Sequence, residues 1–121
     1  MCEVTKLSLR EIISAVRGDL LVGENIEDCY VDTIYAGDRI SDLIVNASKN
    51  TLIITHIANL SLCPLLELFD IPAICLISKD YPDEKVIENV KKKKGVLIKS
   101  RFEMFETCGR IYQQLENNRS I

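Results

Sequence analysis

The residues able to do chemistry in this chain sit where apolar runs end. They are Gly37, Asp38 and Ser41; His56 and Asn59; Ser78, Lys79 and Asp80; and Ser100 with Arg101. Lys79 and Arg101 are cations, and unpaired N–H groups at helix starts favour an anion beside them. His56 is the only histidine, and its charge state is easily moved near neutral pH. It reads either as a general base or ligand contact, or as a hydrogen-bonded loop histidine. Asp38, Asn59 and Ser100 likewise read as ligand contacts or as helix N-caps, each worth about 1 kcal/mol to its helix.

Other constellations are thinner. Cys63 precedes Pro64 near an expected helix start, where a thiol pKa is lowered, so a Cys63–His56 pair is one enzymatic reading and an inert thiol the other. Asp38 and Asp42 share one helix face but lack a third carboxylate to make a Mg²⁺ site, and no metal is expected. Lys91 to Lys94 sit at an expected helix C-terminus, where lysines complement the macrodipole and stay solvated. Gly37 alone is no phosphate loop, since neither G-x-G-x-x-G nor a Walker pattern occurs. Lys79 after a strand suits a receiver domain, but the acidic cluster such a domain needs is missing.

These groups need elements to position them. Ser8-Leu9-Arg10-Glu11 is a capping-box pattern, and Leu9, Ile12, Ile13 and Val16 follow at helical spacing until Gly18. Leu20 to Val22 is a short apolar piece, and Tyr30 to Tyr35 a strand that breaks at Gly37. Asp38 is expected to cap a helix running through Asn46. Thr51 to Thr55 and Pro72 to Ile77 are continuous apolar strands of the kind buried on both faces. Between them Asn59 opens a helix ending near Phe69, with Pro64 tolerable only in or next to its first turn. Pro82-Asp83-Glu84 opens the next helix, Gly95 ends it, and Val96 to Ile98 is a strand. Ser100 to Glu103 reads as a second capping box, opening a helix that carries Phe102, Phe105, Cys108, Ile111, Tyr112 and Leu115. A frayed tail is expected from 116 to 121.

This succession of β-then-α units predicts one α/β domain over 1–121, with three layers: a mainly parallel sheet covered by helices on both faces. Ligands of such sheets bind at the strand carboxyl ends, where the polar groups fall. Composition agrees with one globular core: 121 residues, 47% hydrophobic and 27% charged. A net charge of −3 argues against a nucleic-acid partner. No apolar run approaches the roughly 18 residues of a membrane span, and the first residues lack a signal-peptide core, so a cytoplasmic location is expected. The five cysteines are odd in number, with no C-x-x-C pair, and read as reduced thiols.

The segments Tyr35 to Leu43, Leu52 to His56, Ile71 to Leu76 and Ser100 to Ile111 together resemble the DRTGG-domain family. The likeness extends over most of the chain and is greatest to short, free-standing bacterial members, often encoded beside iron-hydrogenase genes. Related modules occur in phosphotransacetylases and nucleotide-sensing pyrophosphatases, and the N-terminal domain of HPr kinase is similar in fold. Where the family's Thr-Gly-Gly would follow the third long strand, this chain has Ile77-Ser78-Lys79. The resemblance implies a non-catalytic regulatory or assembly module, homodimeric, with a link to an iron-hydrogenase system and no assigned cofactor. With the strand-end residues, it leads to an expected small anionic metabolite or nucleotide ligand. The alternatives are a small enzyme using His56 with Cys63 or Asp38, and a ligand-free interaction adaptor. The first helix and the Leu20 to Val22 strand are the candidate dimer surface.

Overall fold

A computed structural model describes residues 6–24, 26, 27 and 29–119. Its centre is a five-stranded sheet of β2 (Asp19–Val22), β7 (Val96–Lys99), β6 (Ala73–Leu76), β5 (Thr51–Thr55) and β4 (Thr33–Ala36), in that spatial order. The pairs β4–β5, β5–β6 and β6–β7 are parallel, and only the edge strand β2 runs antiparallel, to β7. A small antiparallel ribbon joins β1 (Leu7–Ser8) to β3 (Tyr30–Val31).

Alternation along the strands divides the core in two. Leu52, Ile54, Ala73, Cys75 and Ile98 face α1 (Leu9–Val16) and α5 (Met104–Arg119), meeting Leu9, Ile12, Val16 and Ile111. Ile53, Ile74, Leu76 and Leu97 face the other way. There they meet Leu43 of α2 (Ile40–Asn46), Leu65 and Leu66 of α3 (Cys63–Leu68), and Val86 and Val90 of α4 (Glu84–Lys92). The three layers follow from period-two strands whose two faces are both apolar.

Local chemistry sets most boundaries. Ser8 Oγ accepts from Glu11 N (3.1 Å) while the Glu11 carboxylate accepts from Ser8 N (3.0 Å), so the capping box at α1 is complete. Arg17 turns left-handed (φ 49°). Gly18 then packs so closely that a Cβ there would lie 2.6 Å from Ile98 Cγ2. Asp83 caps α4 by accepting from Lys85 N at 2.9 Å, and Pro64 falls in the first turn of α3.

Four expectations are corrected. The Tyr30 to Tyr35 strand divides at Asp32: Asp32 N and Thr33 N both donate to the Asn50 carbonyl, so β3 leaves with the ribbon while β4 joins the sheet. Asp38 does not cap α2. Arg39 stands at that position with no side-chain cap bond. Ser100 caps no helix, because α5 begins at Met104. The tail expected from 116 is helix as far as Arg119, held where Asn118 Nδ2 donates to the Lys6 carbonyl at 3.1 Å.

Candidate functional site

The last rungs of the parallel ladder put the polar strand ends side by side. Gly37 N donates to the Ile54 carbonyl (3.0 Å), Ile77 N to Thr55 (2.9 Å) and Ser100 N to Leu76 (2.9 Å). Beyond these rungs the chain diverges. After β6 it leads to α4 on one face of the sheet, and after β7 to α5 on the other. Adjacent loops that part in this way leave a crevice outside the strand ends, the usual ligand position in open α/β sheets. Here that crevice is about 340 Å³ and is lined by His56, Ile77, Ser78, Lys79, Ser100, Arg101, Phe102 and Glu103. Its size lies at the lower end of the range for small-molecule sites.

Asp38 supports this crevice from behind. Its Oδ1 accepts from His56 N (2.7 Å) and from Thr55 Oγ1 (3.0 Å), and its Oδ2 lies 2.8 Å from His56 Nδ1. This is why Asp38 is absent from the cap of α2: both oxygens are committed across the sheet edge. Burial pushes its carboxyl pKa up, but the His56 backbone N–H, the His56 ring and the Thr55 hydroxyl outweigh that and hold it below its ordinary value. An ionised carboxylate only accepts, so Nδ1 of His56 carries the proton and Nε2 is the ring nitrogen left for a ligand.

The other expected residues fare unequally. His56, Ser78, Lys79, Ser100 and Arg101 come together at the crevice, with Asp38 behind His56 and Gly37 as a ladder rung. Ser41 on α2 and Asn59 are not among the crevice residues. Asn59 accepts from Ser61 N at 2.9 Å and opens a 3₁₀ turn, Leu60–Leu62, before α3. The Ser100 hydroxyl is turned inward, 2.7 Å from Thr107 Oγ1, and accepts from Phe102 N at 3.1 Å. Ser78 Oγ accepts from Asp80 N, and Lys99 Nζ donates to the Lys79 carbonyl. Arg101 pairs with Asp19 at 3.1 Å.

Cys63 lines a separate depression of about 300 Å³ with Pro64, Glu67, Lys85 and Glu88, and His56 is not part of that lining. Among the described residues, no cluster of three His, Cys, Asp or Glu side chains is placed to hold a metal ion, and no helix is long and apolar enough to cross a membrane.

Sequence reasoning missed Thr55, Phe102 and Glu103. Thr55 had a legible signal, a hydroxyl closing an otherwise apolar strand. Phe102 had none, since it stands just before the start of α5, with the Arg110 guanidinium 3.9 Å over its ring.

No family model and no curated protein matches the sequence. Among solved structures, the chain is similar to the CBS and DRTGG domains of the regulatory region of Clostridium perfringens pyrophosphatase, determined with its activator diadenosine tetraphosphate. The TM-score is 0.70 at 17% identity, over 88% of this chain and 46% of that one. This chain thus spans about half the length of its structural neighbour. Its fold is DRTGG-like.

Proposed function

We propose that this domain is a non-catalytic regulatory module that binds a small anionic metabolite or nucleotide in the crevice at the strand carboxyl ends. The observation that carries this reading is the divergence of the β6–α4 and β7–α5 connections, which opens a ligand-sized space beside Lys79 and Arg101. The structural neighbour is itself a regulatory region solved with a nucleotide activator, which supports the same class. Gly37, Asp38, Ser41, His56, Asn59, Ser78, Lys79 and Ser100 are the proposed site set, with His56, Ser78 and Lys79 nearest the ligand and Ser41 and Asn59 peripheral. The test is thermal denaturation against a panel of nucleotides and phospho-metabolites. A ligand at 100 times its Kd stabilises by about 2.7 kcal/mol, and Lys79→Glu abolishes the effect. No stabilisation by any anion refutes the reading.

The module is proposed to act as a homodimer, supported by Leu20, 40% exposed on the edge strand β2. Sedimentation showing only monomer at high concentration removes that part.

One observation favours a second reading, a small enzyme. A carboxylate on Nδ1 is the arrangement that orients a histidine as general base, and Asp38–His56 has it. Turnover of a bound phosphoester that His56→Ala abolishes decides for this reading. Binding without turnover decides against it.

A further inference from the structure

The crevice brings charges of both signs around His56. Asp38 faces His56 from the loop after β4. Lys79 lines the crevice from the loop after β6, and Arg101 and Glu103 from the loop after β7. Lys99 reaches in only as far as the Lys79 carbonyl, and Arg101 is shared with Asp19. Among the crevice-lining side chains Lys79 and Arg101 are cations and Glu103 an anion, while Asp38 is bound to His56 outside that lining. A doubly charged ligand in this space meets Lys79 and an Arg101 already shared with Asp19, so one more cation strengthens its hold. Among the described residues lining the crevice, the His56 ring is the side chain whose charge is easily moved near neutral pH. Its Nδ1 is bound to Asp38, and Nε2 has no protein partner among the described residues.

We propose that Asp38 holds His56 as its Nδ1–H tautomer so that Nε2 takes up a proton from solvent when a tetrahedral dianion, such as the phosphoryl group of a nucleotide or a free phosphate, enters the crevice beside Lys79 and Arg101. His56 is then a ligand contact and Asp38 its positioning residue. An opposite charge within about 4–6 Å moves a titration midpoint by roughly one to three units. Binding is thus coupled to pH, and the domain holds its anion more tightly as pH falls through the imidazole range. This inference rests on the crevice being the anion site.

The single histidine makes the test clean, because one imidazole gives one NMR titration. Sulfate is the probe: it is tetrahedral and stays fully ionised from about pH 5 to 8, where imidazole titrates. Chloride at equal ionic strength controls for screening. The expected result is an Nδ1–H tautomer in the free protein, read from the ring nitrogen shifts. Sulfate should move the titration midpoint upward by about one unit and also shift the Lys79 and Ser100 amides.

Asp38→Asn should reverse the tautomer. The position of Oδ1 must still accept from His56 N and Thr55 Oγ1, which leaves the amide –NH₂ facing Nδ1 as a donor. His56→Gln should weaken sulfate binding at low pH and lose its pH dependence. Amide shifts without a midpoint change, or an Nε2–H tautomer in the unsubstituted protein, overturn the inference and leave the regulatory reading intact. No response to sulfate at the crevice also overturns it, while a nucleotide that stabilises the fold independently keeps that reading.

Discussion

Asp38 Oδ2 and His56 Nδ1 meet at 2.8 Å across 18 positions of sequence, tying the loop after β4 to the end of β5. The same carboxylate holds the His56 backbone N–H and the Thr55 hydroxyl. It therefore orients the ring and pins the strand end that carries it. Both side chains are nearly half exposed, so the pair sits in a wet, high-dielectric setting and its value lies more in orientation than in stability.

The acid limb of the stability curve reports this carboxylate. Its pKa is lowered in the folded protein, so the unfolded chain binds the proton more readily. The stabilisation is present above the unfolded carboxylate value, about pH 4, and is lost as pH falls through the lower folded value. In urea titrations Asp38→Asn should flatten that limb, with a loss near neutral pH of about 1 kcal/mol or less. An acid limb identical to that of the unsubstituted protein would falsify the assignment.

Gly18 is required by packing. Alanine there brings Cβ to 2.6 Å from Ile98 Cγ2, a stiff β-branched carbon in the fully buried core. Overpacking of this kind costs about 1–3 kcal/mol. The denaturation midpoint of Gly18→Ala should drop accordingly with little change in slope.

Two neighbours on α2 separate core from surface. Leu43 is fully buried and Val45 is 81% exposed. Leu43→Ala should cost about 2–5 kcal/mol and Val45→Ala about 0.5 kcal/mol or less, both read from urea midpoints. Equal effects would contradict the placement of α2.

Cys75 should resist thiol reagents until the protein unfolds. Burial, with the Cys108 thiol nearby, pushes its pKa up to about 12, and the thiolate is the reactive form. Mass spectrometry after brief labelling of the native protein should find Cys75 unmodified while the half-buried Cys63 is labelled.

The sequence by itself determined which strands of the main sheet are buried on both faces. The apolar runs at Thr51 to Thr55 and Ala73 to Leu76 are buried on both faces as continuous apolar strands must be. The capping box at Ser8 closed as written, because its partners lie three residues apart and depend on nothing distant.

What failed was local reasoning about groups with distant competitors. Asp38 and Ser100 both had cap-like neighbours in sequence. The fold brought each a better partner, the His56 end of β5 for one and Thr107 for the other. The direction of β2 was likewise decided by its neighbour, since a four-residue run carries no polarity until it pairs.

The crevice itself is a property of the tertiary structure alone. It exists because the chain leaves β6 and β7 toward opposite faces, and only the packing of α4 and α5 decides which face each helix takes.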